Sequence, residues 1–162
     1  MGRMAFALLL SVVCSARPLA AQALSAAHRT ALADTIVQQA NGFVRACGTL
    51  DINRFMELFA PDPELTYVDA GRIYANRDSL ARAAGGFFRS LKKCDGKWGP
   101  IHVVVLGPDA GAFTGVFHAD VVDTAGTARW TTGKIWTFVY QRRAGQWKIL
   151  QAHEANVPPP TR

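Results

Sequence analysis

Residues 128–156 read ARWTTGKIWTFVYQRRAGQWKILQAHEAN. Two extended runs, 128–141 and 146–156, are rich in aromatic and β-branched residues and flank Arg-Ala-Gly, which is the pattern of strand, tight turn and strand. The same texture occupies 99–107 and 112–122, with Pro-Asp-Ala-Gly and Thr-Ala-Gly as the intervening turns. Four strands joined by short turns imply an antiparallel meander.

The chain upstream is helical in its spacing. Leu32, Ile36, Ala40, Phe43, Val44 and Cys47 recur every three to four positions, and Gly48 is placed to end that helix. Asp51 suits the N-cap of a short second helix carrying Phe55, Leu58 and Phe59, which Pro61 and Pro63 stop. Residues 64–74 read as a small hairpin turning at Ala70-Gly71. A third helix, capped near Asn76 or Asp78, carries Leu80, Ala83, Ala84, Phe87, Phe88 and Leu91. The Gly85-Gly86 pair weakens it and leaves room for another backbone. Helices at one end of the chain and strands at the other predict an α+β domain with helices packed on one face of a curved sheet.

Three stretches, taken in order, resemble the nuclear transport factor 2-like superfamily and, within it, SnoaL-like proteins with the ketosteroid isomerase-like fold. They are Asp51 to Asp62 (Asp-Ile-Asn-Arg-Phe-Met-Glu-Leu-Phe-Ala-Pro-Asp), Lys134 to Val139 (Lys-Ile-Trp-Thr-Phe-Val), and Trp147-Lys148-Ile149 followed by His153. The resemblance implies a curved antiparallel or mixed sheet of about six strands, wrapped around three N-terminal helices as a cone with an internal pocket. Such folds serve isomerases, dehydratases, cyclases and non-catalytic association domains, so fold alone does not set function. The steroid isomerases of the superfamily use a tyrosine on the first helix and an aspartate on the first strand. Here those places fall on Phe43 and Tyr67, neither of which supplies the same chemistry. A shift of two residues brings Asp69 to the base position on the face that Tyr67 shares.

Strict alternation in the last strand puts Trp147, Ile149, Gln151 and His153 on one face, with Glu154 opposite. On that basis Asp69 and His153 are the candidate catalytic residues, and Tyr67, His118, Trp136, Gln151 and His153 the candidate ligand-binding residues. His118 shares a face with Asp120, and Trp130, Trp136, Phe138 and Tyr140 form an aromatic face suited to a core, a subunit contact or a pocket wall. No histidine or acidic cluster has metal-ligand spacing, and no phosphate loop, nucleophile elbow or dinucleotide fingerprint is present, so neither metal nor cofactor is expected.

The 162 residues suffice for one domain. Met1-Gly2-Arg3, the apolar run Ala5 to Val13 and Ala21-Gln22-Ala23 form a signal-peptide pattern, with cleavage after Ala23 or Ala21. The apolar run is well short of the ~20 residues that cross a bilayer, so no stable membrane anchor is expected. The organisation is then a signal peptide over 1–23, a SnoaL-like domain over 24–156 and a disordered Pro-rich tail over 157–162. Removing Arg3 and Arg17 from 18 Lys plus Arg leaves 16 against 12 Asp plus Glu, a net of +4 without a basic stripe for nucleic acid. In an oxidising compartment Cys47 and Cys94 are candidates for a disulfide, the alternative being two buried thiols. The expected protein is therefore a secreted or periplasmic homodimer holding a small, largely apolar molecule. Its rivals are a cofactor-free isomerase, dehydratase or cyclase using the same pocket, and a pure association module.

Overall fold

A computed structural model describes residues 24–61, 63, 65–130 and 133–157, apart from the side chains of Arg129 and Trp130. The signal-peptide segment, Thr132 and residues 158–162 lie outside the described residues. The first helix, α1 (Ala26–Thr49), buries Leu32, Ile36, Ala40, Phe43, Ala46 and Cys47 along one stripe. It runs past Gly48 and ends at Leu50, which adopts φ 51° and returns its N–H to the carbonyl of Cys47. A leucine is strained there, but its side chain packs against the core and apolar burial offsets the backbone cost. Asp51 caps α2 (Ile52–Glu57) by accepting from the N–H groups of Asn53 and Arg54, and Asn76 caps α3 (Arg77–Arg89) through Ser79.

Strands β1 (Thr66–Asp69) and β2 (Arg72–Tyr74) form the small hairpin. Its two-residue turn holds Ala70 at φ 47° and Gly71 at φ 80°, the doubly positive geometry that matches strand twist. After α3 come β3 (Leu91–Gly107), β4 (Ala110–Asp123), β5 (Ala128–Trp130), β6 (Lys134–Arg143) and β7 (Gln146–Asn156). The third helix thus stops at Arg89, and Leu91 already belongs to β3, eight residues before the extended run predicted from composition. Residues 91–98 carry Lys92, Lys93, Asp95 and Lys97, which are poor strand formers. Pairing with β4 from Leu91↔Asp123 onward overrides that propensity.

Among the described residues the sheet has seven strands, ordered β2-β1-β7-β6-β4-β3, with short β5 on β4. The β3-β4-β6-β7 series is the antiparallel meander, and β1 joins β7 in parallel, so the sheet is mixed and open. Pro100 is accommodated because β3 is an edge strand and is bulged between Trp98 and Ile101. Gly111 lets α1 lie against β4, since a Cβ there would sit 2.2 Å from Ile36 Cδ1. Gly96 likewise leaves its place to the Phe117 ring.

The two glycines of α3 behave differently from the sequence expectation, because among the described residues no backbone approaches either of them. A Cβ on Gly86 would meet nothing within 4 Å. Gly86→Ala is therefore expected to stabilise the protein by about 1 kcal/mol, since the helix gains propensity without a clash. Thermal unfolding of the variant should show a melting temperature higher by roughly 2–4 °C. An unchanged or lower value would mean that α3 is strained at this position.

Candidate functional site

The concave face of the sheet, α1 and α3 enclose a cavity of about 260 Å³. Its walls are aromatic: Phe43 from α1, Phe55 from α2, Phe87 and Phe88 from α3, Tyr67 and Tyr74 from the hairpin, and Phe117 and Trp136 from β4 and β6. Phe43 stands at the centre, with ring centroids 4.7 Å from Trp136 and 5.3 Å from Phe117. Ala83 and Ala84 face the cavity from α3, and their small side chains keep it open. The polar side chains on the lining include Asp69, Lys134 and Glu154, with the hydroxyls of Tyr67 and Tyr74.

Glu154 reaches this interior through a slip in β7. Trp136 lies opposite Glu154 and Phe138 opposite Ala152, but Val139 is opposite Gln151 while Tyr140 is opposite Ile149. Leu150 is thus the extra residue of a β-bulge, and the strand changes phase there. The change coincides with a change of neighbour, since Ile149 bonds to Leu58 and Ala60 on the side where Gln151 pairs with Thr66 of β1. Ile149, Ala152 and Glu154 consequently face inward, whereas Gln151 and His153 are exposed. Alternation counted from Trp147 gives the opposite assignment, and the bulge is why it fails for every residue beyond Leu150.

Glu154 is 6% exposed. Its Oε1 forms an ion pair with Lys134 Nζ, and its Oε2 accepts from the Tyr67 hydroxyl at 3.3 Å. Burial lifts its carboxyl above the ordinary range. Lys134 opposes that shift and the nearby Asp69 charge adds to it, so desolvation outweighs the ion pair. The Tyr67 phenol is held well above its usual value, first by burial and then by the negative charge of Glu154 and Asp69. Trp136 is 3% exposed, and its indole Nε1 has no hydrogen-bond partner among the described residues.

The candidates from sequence therefore divide. Tyr67, Asp69 and Trp136 come together on the cavity wall. His118, Gln151 and His153 are exposed and outside it, and Asp120 beside His118 is exposed too. Trp136, Phe138 and Tyr140 are core residues on the inner face of β6. Cys47 and Cys94 are bridged, with Cα atoms 5.6 Å apart, and both line the cavity. Glu154 is the candidate position that alternation missed, whereas Lys134 shares by alternation the face of Trp136 and went unnamed as a site residue. The one local signal for Glu154 was the pair Ile149 and Ala152, two small or apolar residues at a spacing that breaks period two. Among the described residues no group of His, Cys, Asp or Glu could hold a metal ion.

The chain matches the SnoaL-like domain family over residues 28–153 and belongs to that family. Its fold is that of the nuclear transport factor 2-like superfamily. A superfamily member from Salmonella enterica superimposes with a TM-score of 0.73 at 17% identity, covering 82% of this chain and 95% of that one. A protein described as a dehydratase of the same family from Streptomyces avermitilis gives 0.69 at 16% identity, covering 80% and 99%. The association domain of C. elegans CaMKII gives 0.62 at 17% identity, covering 79% and 98%. At these identities the likeness concerns the fold alone. Among curated protein sequences the chain finds no match.

Proposed function

We propose that this chain is an exported binding domain that holds a small, largely apolar molecule in the cavity between the sheet and α3. The observation that carries this is the cavity itself: an aromatic chamber of about 260 Å³ with a few fixed polar groups at one corner, which is the usual composition of a ligand site. Export rests on Arg3, the short apolar run and Ala21-Gln22-Ala23, and the Cys47–Cys94 bridge suits an oxidising compartment. No described helix is long and apolar enough to cross a membrane. A homodimer through the outer face of the sheet accompanies this reading. Val104 and Leu106 are exposed there, Val116, Ile135 and Val139 are half-buried, and a neighbour of the same fold is an association domain.

A specific observation also favours an enzyme, a cofactor-free isomerase or dehydratase. Burial raises the carboxyl of Glu154 and so favours its protonated form, and Tyr67 and Lys134 hold it at the cavity wall. In this alternative Glu154 takes the role that the sequence offered to His153, with Asp69 as the second carboxylate. A structural neighbour described as a dehydratase is compatible with it.

Native mass spectrometry of the protein recovered from its host's export compartment tests both. A dimer carrying one small molecule per subunit, returned unchanged on incubation with fresh protein, is the expected result. Conversion of that molecule would move the assignment to the enzyme. Recovery from the cytoplasm with an empty cavity would overturn the proposal.

A further inference from the structure

The cavity changes character with depth. Phe43, Phe55 and Phe117 are buried on its floor, whereas the lining residues that keep contact with solvent are Asp69 and Tyr74 from the hairpin, Ala83, Ala84 and Phe87 from α3, and Lys134 from β6. These define the mouth. Two of them are charged, and they are not equivalent. Lys134 pairs with Glu154, but the Asp69 carboxyl has neither a hydrogen bond nor an ion pair among the described residues. Asp69 and Glu154 act on each other as like charges, since Asp69 adds to the raised pKa of Glu154. A cation beside Asp69 relieves that repulsion, and an anion adds to it. Arg72, Arg82 and Arg89 lie on the same hairpin and helix, but they are exposed and outside the lining, where salt screens them. The rings next to Asp69 act in the same sense as its charge. Tyr67 and Tyr74 face each other across the hairpin with centroids 5.7 Å apart, and the face of an aromatic ring attracts a cation within ~6 Å.

We infer that the cavity selects a one- or two-ring amine in its protonated form, with the rings on the floor against Phe43, Phe55 and Phe117 and the ammonium at the mouth, donating to Asp69 beside Tyr74. The inference rests on the binding function proposed above and specifies its ligand class. At the mouth the ammonium keeps part of its water, so it is spared most of the desolvation cost that the floor would impose. The floor contributes apolar burial and ring contacts that any ring of that size shares. At about 260 Å³ the chamber lies just below the ~300–1,000 Å³ of pockets for drug-sized ligands, which limits the occupant to about one or two rings. Affinity for rings in general therefore lies in the floor, and discrimination by charge lies in Asp69.

Calorimetric titration of the full chain with indane, an aminoindane and an indane carboxylate separates these contributions. The amine should bind about tenfold tighter than indane, the equivalent of one hydrogen bond to a charged group, and the carboxylate should bind most weakly. In Asp69→Asn the preference for the amine over indane should fall to within about twofold. In the unsubstituted chain the side-chain carboxyl carbon resonance of Asp69 should shift on adding the amine and stay in place with indane, a readout that does not depend on the variant folding. Equal affinities for indane and the amine, a carboxylate that binds as tightly as the amine, a preference that survives Asp69→Asn, or an Asp69 resonance indifferent to the amine would overturn the inference and leave the binding function standing. Failure of all three compounds to bind would overturn both.

Discussion

Breaking the Cys47–Cys94 bridge is expected to lower the unfolding free energy by about 4 kcal/mol, taking the loop-closure entropy of its 47-residue separation. The bridge ties the last turn of α1 to the start of β3, and those segments otherwise join only through the whole of α2, the hairpin and α3. Without it the unfolded chain gains most of the freedom of that loop, whereas the folded chain loses only a contact in the cavity wall. For a domain of this size the melting temperature should fall by roughly 10 °C in reductant or in the Cys47→Ala, Cys94→Ala double variant. The two treatments should agree, because both act on the same bond. Identical melting curves with and without reductant would show that the sulfurs are unlinked in solution.

The second large effect concerns Glu154. Glu154→Ala removes the carboxylate that Lys134 pairs with in a mostly buried site and deprives Tyr67 of its acceptor, and loss of about 3–5 kcal/mol is expected. Replacing both charges, with Lys134→Met and Glu154→Leu together, should recover most of that loss, because an apolar pair of similar volume removes the desolvation cost on both sides. Chemical denaturation of the single and double variants checks the ordering; a double variant no better than Glu154→Ala alone would sink it. The same carboxyl sets a pH signature. Its folded-state pKa lies above its unfolded value, so between the two the folded chain binds the proton more tightly. Its contribution to stability then falls as pH rises from the ordinary carboxyl range through the raised value, and stays lost above it. Comparison with Glu154→Gln, which cannot titrate, should isolate that slope.

Much of the architecture is visible in the sequence because its local signals agree with its tertiary ones. Asp51 and Asn76 are cap residues in sequence and in structure, and Ala70-Gly71 and Ala144-Gly145 are turns in both. The helix stripe from Leu32 to Cys47 is buried as its spacing requires. Where local and tertiary forces diverge, the sequence misleads. Lys92 to Lys97 look like loop yet pair with β4, and Gly48 looks like a helix end yet lies inside α1. At the site the division is sharper. Tyr67, Asp69 and Trp136 are legible because each sits on an undistorted strand, where period two holds. Glu154 and His153 are not legible, because their orientation depends on a bulge whose cause is distant: the switch of β7 from neighbours at Leu58 and Ala60 to a neighbour in β1. Lys134 is found only once Glu154 is, since a lone lysine at the start of a strand is ordinary surface.

That bulge makes the chemistry of the chamber a matter of counting. The segment from Gln151 to Asn156 carries two complete sets of side chains, one with Gln151 and His153 and the other with Ala152 and Glu154, and only one set can face the aromatic walls at a time. Leu150 decides which. A chain one residue shorter at that point would turn an imidazole and an amide toward Trp136 and put the carboxyl in water, with every amino acid of the segment unchanged. In a cone of this kind, an insertion or deletion near the end of the last strand exchanges an acid for a base more completely than any single substitution.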